Sequence, residues 1–220
     1  MKRLALLLVL AGCVDDSDPP WQLDHDRILA VRIDPPAILT GEVARLDALL
    51  AHAGGPTTTE QPIGVTAAGA PAELFTVVHF NLDHWEIDGP PEAQLAQARA
   101  ELGLADDAPV PIDVKLQFPG PLYATKTVYL GTSYGNPTAR VTLDGADVPA
   151  SLALTAHRAY RFVVDAPRAH WFTSCGELRG HDQLEVTLVT GEACSGELVL
   201  VGRDDRGGTM WQVISLSISL

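Results

Sequence analysis

The densest set of reactive side chains lies in Val78-His79-Phe80-Asn81-Leu82-Asp83-His84-Trp85. Read as one continuous strand, this run places His79, Asn81 and Asp83 on one face and His84 on the other. Two imidazoles and a carboxylate are ligand types that zinc or iron takes. The spacing is not the His-x-x-x-His pair of a single helical face. His79, Asp83 and His84 are therefore metal candidates, set against a plainer reading in which the strand face is exposed or hydrogen-bonded. Asp144, Asp147, Asp204 and Asp205 offer calcium-type oxygens, but none follows the EF-hand order, and turn formation with solvation is the competing reading. Ser133, Ser151 and Ser174 lack a G-x-S-x-G context, and His157, His170 and His181 are scattered. There is no phosphate loop and no dinucleotide fingerprint. Paired carboxylates for glycoside hydrolysis remain open, because 28 acidic residues always offer some pair. The expectation is a protein that is not an enzyme and holds no cofactor, with a hydrolase as a third reading.

The N-terminus carries a different kind of chemistry. Met1-Lys2-Arg3 is basic, Leu4 to Ala11 is apolar, and Gly12 precedes Cys13. That order marks a secretory signal over residues 1–12. The apolar run is far shorter than the roughly 18 residues of a membrane-spanning helix. Leu10-Ala11-Gly12-Cys13 resembles the bacterial lipobox. The resemblance implies a diacylglyceryl group on the Cys13 thiol and cleavage just before it. The alternatives are an ordinary signal peptide with an incidental Cys, or a cytosolic chain with an apolar start. Acyl chains contribute about 0.8 kcal/mol per buried CH₂, and several together hold a domain at a bilayer. Residues 13–26, with Asp15, Asp16, Asp18, Pro19 and Pro20, read as the lipidated Cys and an acidic, Pro-stiffened tether. By similarity to enterobacterial sorting, Val14 after the Cys implies the outer rather than the inner membrane.

With Cys13 assigned to lipid, Cys175 and Cys194 remain of the three cysteines. An even pair in an exported protein reads as a disulfide, worth about 3 kcal/mol in the chain-entropy account. Two free buried thiols are the alternative. The spacing is wrong for a four-ligand zinc site.

The chain must supply elements that hold these residues. It has 220 residues, 46% of them apolar and 20% charged, which excludes intrinsic disorder. Its formal charge of −13 argues against nucleic acid as a partner and against electrostatic attraction to anionic lipid. The apolar/polar alternation of Ile112 to Phe118 is that of a half-buried strand. Further strands are expected over 28–34, 43–50, 74–80, 123–130, 139–143, 159–164, 184–189, 197–203 and 211–219. Turns such as Asp144-Gly145 and Gly207-Gly208 separate them. Pro91 to Leu102 departs from this pattern, with a run of helix formers between a starting Pro and a terminal Gly103. Leu95, Ala98 and Leu102 form its apolar stripe. The turn-rich stretch Gly131 to Pro137 suggests a boundary. The predicted architecture is mainly β: a β-sandwich over 27–132 carrying the helix 91–102, then a second β-sandwich over 136–220.

Two stretches resemble bacterial immunoglobulin-like domains of surface lipoproteins. One is Ile33-Asp34-Pro35-Pro36 followed by Thr40-Gly41-Glu42 and the strand from Val43. The other runs from Tyr160-Arg161-Phe162 through Trp171-Phe172 and Cys175-Gly176-Glu177-Leu178 to Arg203-Asp204-Asp205-Arg206-Gly207-Gly208 and Trp211. The whole chain is similar to envelope lipoproteins of predatory or soil delta-type bacteria, a group without an assigned activity. The resemblance implies Trp171 and Trp211 in the second core. Cys175 follows the Trp, unlike in antibody domains, so the bridge should tie the end of the Trp strand to the Gly191–Gly196 turn. The functional expectation is a lipid-anchored, exported cell-envelope protein, structural or binding an envelope protein or a glycan. Its membrane contact would be through acylated Cys13. The alternative is a ligand- or metal-binding surface lipoprotein that uses the His79–His84 strand and the helix as one wall of a site.

Overall fold

The computed structural model describes residues 19–68, 71, 74 and 77–220. The signal segment, Cys13 and residues 14–18 lie outside the described residues. The first half holds β1 (Arg27–Asp34), β2 (Ala37–Ile38), β3 (Val43–Ala51), β4 (Thr58–Glu60), β5 (Gly64–Ala68), β6 (Val78–Asn81) and β7 (His84–Asp88). Then come α1 (Glu92–Leu102), β8 (Val110–Gln117) and β9 (Tyr123–Leu130). One sheet runs β1-β3-β7-β6, with β4 also on β3, and the facing sheet runs β2-β9-β8-β5. Between them lies a core that includes Ile33, Leu46, Leu50, Ile87, Ile112, Val114 and Phe118.

The second half repeats the plan. Its strands are β10 (Arg140–Leu143), β11 (Ala146–Asp147), β12 (Ser151–Thr155), β13 (Ala159–Asp165), β14 (Arg168–Thr173), β15 (Glu177–Arg179), β16 (Glu185–Val189), β17 (Cys194–Arg203) and β18 (Thr209–Ser219). They form sheets β11-β10-β13-β16-β15 and β12-β18-β17-β14 around Phe162, Trp171, Leu188, Leu200 and Ile214. In each half the opening strand pairs antiparallel in one sheet. A later short strand, β2 or β12, then joins the other sheet parallel to the half's last strand, β9 or β18. In the first half the switch follows the cis peptide Asp34–Pro35. In each half a five-stranded sheet thus faces three strands plus the switched edge, in the immunoglobulin-type order. The mainly β expectation with two immunoglobulin-like sandwiches therefore matches the structure.

Local chemistry explains the best-read elements. β8 alternates buried Val110, Ile112, Val114 and Leu116 with exposed Pro111, Asp113, Lys115 and Gln117. In α1, Leu95 and Ala98 are buried, but Leu102 is exposed and Arg99 takes its place inside. The Arg99 guanidinium is 4% exposed and donates to Glu92 (2.5 Å) and to the Ala108 carbonyl (2.8 Å). Gly103 ends the helix in the left-handed region, where a Cβ would be strained. The expected strand over 74–80 begins only at Val78; Leu74 and Val77 are helical-turn residues in the first core.

The two sandwiches pack face to face. Leu29, Ala30, Leu49 and Ala51 of the β1–β3 sheet meet Val199 and Val201 of β17, flanked by Phe172, Trp211 and Val213. Trp211 therefore belongs to this junction and not to the second core, which corrects the expectation. Its ring stacks under the Arg32 guanidinium at 4.2 Å, and Arg32 also makes a two-pronged ion pair with Asp47 (3.0 and 2.5 Å). Arg203 donates to the Leu29 carbonyl (3.0 Å), and Asn136 joins the Ile33 carbonyl to the Thr209 amide (3.0 and 2.8 Å). Lys126 reaches Thr209 Oγ1 (2.7 Å). Burial, helped by nearby Arg203, lowers its ammonium to about 8.

The segment read as the end of the tether is also docked. Leu23 donates to the Thr173 carbonyl and Thr173 to the Trp21 carbonyl (both 2.9 Å), so this segment lies parallel along β14. Trp21 packs on the second core and Leu23 is buried in the junction. Arg27 clasps the Pro20 and Gln22 carbonyls (2.8 and 2.6 Å) and lies over Phe172. The described part of the tether is thus a strap held on the second sandwich.

Candidate functional site

The His79–His84 run is not one strand. Asn81 pairs with His84 across a two-residue turn at Leu82-Asp83, with Leu82 at φ 53°. The reversal brings β7 back along β6 and sets His79 opposite Glu86. Asn81 and His79 then share a face with His84, Glu86 and, two residues on, Asp88. The expectation that His84 points away from His79 and Asn81 is corrected by this turn. Phe80 and Trp85 occupy the other face, ring centroids 5.4 Å apart.

Glu86 is the centre of this face. Its carboxylate accepts from Asn81 Nδ2 (2.8 Å) and meets His84 Nε2 (2.6 Å), while His84 Nδ1 meets Asp83 (2.7 Å). Hydrogen bonds to Asp83 and Glu86 raise the His84 imidazolium above its ordinary range. Bonds from Asn81 and His84 hold the Glu86 carboxyl below its own, and His84 does the same to Asp83. His79 lies on the far side, its Nε2 3.8 Å from Glu86 and its Nδ1 3.6 Å from Asp88. One ligand atom each from His79, Glu86 and Asp88 lie within 4.8 Å of one another. Of the sequence candidates, His79 is thus in the cluster, His84 supports it through Glu86, and Asp83 sits outside at the exposed turn. Glu86 and Asp88 were missed. Their signal was present in the polar-at-every-second-residue pattern of His84-Trp85-Glu86-Ile87-Asp88, which marks a strand face.

A second concavity lies where the sandwiches meet. It is a groove of about 680 Å³ lined by Leu23, Asp24, Gly55, Ser174, Ser195 and Glu197, among others. Glu197 fixes the geometry: its carboxylate accepts from the Thr57 amide (2.9 Å) and its own amide donates to Ser174 Oγ (2.9 Å). The lining hydroxyls and carboxylates suit hydrogen bonding to a polyhydroxylated or extended polar ligand.

The remaining sequence candidates have structural partners. Cys175 and Cys194 form a disulfide with Cα atoms 6.2 Å apart, joining the chain after β14 to the start of β17. Asp144 sits at positive φ in the turn between β10 and β11. Asp204 accepts from the Arg206 and Gly208 amides (2.9 and 2.7 Å). Asp147 pairs with Arg140 and Asp205 with Arg168. Trp171 is buried and donates its Nε1 to the Gln183 carbonyl (2.9 Å). His170 lies beside it on β14, its imidazole lowered by burial and by Arg203. Among the described residues, no serine or cysteine is hydrogen-bonded to a histidine, and no helix is long and apolar enough to cross a membrane.

No protein-family model matches the chain, and no curated protein matches it. Solved structures to which it is similar include immunoglobulin and fibronectin(III)-like modules. The two-domain DIP-gamma IG1+IG2 structure is 12% identical, with 90% of this chain and 99% of that one covered and a TM-score of 0.30. The N-terminal Ig1-2 module of the Drosophila receptor protein tyrosine phosphatase DLAR is 9% identical, covering 89% and 100%, with a TM-score of 0.29. The fibronectin(III)-like modules of Clostridium thermocellum CbhA are 10% identical, covering 86% and 94%, with a TM-score of 0.30.

Proposed function

We propose that this chain is a non-enzymatic cell-envelope lipoprotein, exported and held at the membrane by acylated Cys13. In this reading the paired sandwiches bind a glycan or another envelope protein. The observation that carries the binding reading is the hydroxyl- and carboxylate-lined groove between them. The anchor rests on Leu10-Ala11-Gly12-Cys13 after a basic start and a short apolar run. The acidic body, at −13 overall, makes lipid and not charge the means of attachment.

Two experiments test the two halves of this proposal. Cys13→Ser should move the protein from the membrane fraction to the soluble one; equal membrane retention would sink the anchor. For binding, Ser195→Tyr fills the groove with a ring from an exposed strand position. Retention on purified cell-wall sacculi and on a glycan array should fall in that variant. Equal retention would remove the groove as the binding surface.

A further inference from the structure

The geometry points to a divalent transition-metal site on the β6–β7 hairpin, with His79, Glu86 and Asp88 as the protein ligands. The three come from register positions that face one way. His79 and Glu86 are a cross-strand pair, and Asp88 follows Glu86 by two residues on β7. With one atom from each residue, their ligand atoms lie within 4.8 Å of one another; His79 Nε2 faces Glu86 at 3.8 Å, and its other nitrogen, Nδ1, faces Asp88 at 3.6 Å. Ligands of a tetrahedral zinc ion, each about 2.0–2.2 Å from the metal, stand roughly 3.3 Å apart. The remaining gap closes by side-chain rotation, because His79 and Asp88 are about half-exposed and free to turn. The third ligand is already fixed.

That fixed ligand is the strongest part of the argument. Glu86 is a buried carboxylate, 8% exposed, on a sheet surface. His84 and Asn81 hold its two oxygens from one side, leaving the His79 side open. Outer partners that orient a ligating carboxylate are the usual companions of a metal site. Arg45 approaches Glu86 only at 3.9 Å and is largely exposed, so water screens its charge. One imidazole with two carboxylates and no thiolate suits zinc or a neighbouring divalent transition ion better than calcium, which takes only oxygens. Water would complete the coordination.

The test is a titration of the full chain in detergent with Zn²⁺ against a chromophoric chelator. Unmutated protein should take up zinc at this site. His79→Ala and Asp88→Asn should each weaken uptake by about tenfold or more. Asp106→Asn, at an exposed turn after α1 and remote from the hairpin, should leave it unchanged. Zinc binding at full strength in both triad variants, or its loss in Asp106→Asn, would overturn the assignment. A readout that needs no variant is the imidazole resonances of the unmutated chain. Those of His79 should shift on adding zinc and those of His181 should not; an unmoved His79 overturns the site even if a variant misfolds.

Discussion

Trp211 shows how one residue's burial can be read correctly and its neighbours wrongly. It is partly buried, as a large aromatic usually is, but it lies between the sandwiches under Arg32. A double-mutant cycle of Arg32→Ala and Trp211→Ala, read by urea unfolding, should give a coupling of about 0.5–2 kcal/mol; additive effects would deny the stacking. Lys126 supplies a pH signature at the same junction. Its folded value of about 8 lies below the unfolded value of about 10.4. Below about 8 both states hold the proton and the burial penalty is constant. Between the two values the unfolded chain binds more protons, so stability rises with pH and then levels off. We expect a rise of about 1 kcal/mol after allowing for water's access, absent in Lys126→Met. Equal pH profiles for the two proteins would contradict it.

The elements differ in how openly they declare themselves. β8 alternates strictly and α1 sits between Pro91 and Gly103, so both are legible in the sequence. The β6–β7 hairpin is not, because its turn is Leu82-Asp83, without the Asn-Gly or Gly that normally marks one. Missing that turn hid Glu86 and Asp88 and placed His84 on the wrong face. The pairing of the two downstream cysteines was open to arithmetic, and the bridge now braces the entry to β17. Replacing both Cys175 and Cys194 by Ala should cost about 2–4 kcal/mol, read as a lower urea midpoint with a slope no smaller than that of the bridged chain. In sequence the strap on β14 reads as tether, because Asp and Pro dominate residues 14–26. Trp21→Ala should destabilise the chain by about 1–2 kcal/mol. A free tether would show no change.

The whole molecule is joined through β3 and β17, which are buried on both faces over Ala48–Ala51 and Leu198–Gly202. Ala48 and Leu50 point into the first core while Leu49 and Ala51 face the partner sandwich. Leu198 and Leu200 fill the second core while Val199 and Val201 face outward to the junction. Unmutated protein should therefore unfold in one cooperative transition. Leu49→Asp, which places a charge in the junction, should split it into two calorimetric steps. Two steps in the unmutated chain would mean the sandwiches are energetically independent.

Side-chain alternation, turn residues and cysteine number act locally, so strand content, the helix and the available cysteine pair were open to reading from the residues alone. The uninterrupted apolar runs Ala48-Leu49-Leu50-Ala51 and Leu198-Val199-Leu200-Val201 even carried the mark of strands covered on both sides. What covers their second face was decided only in three dimensions. Burial there depends on a surface some 150 residues away in the chain. The same holds for Glu86, whose role follows from which strand faces it and not from the residues beside it.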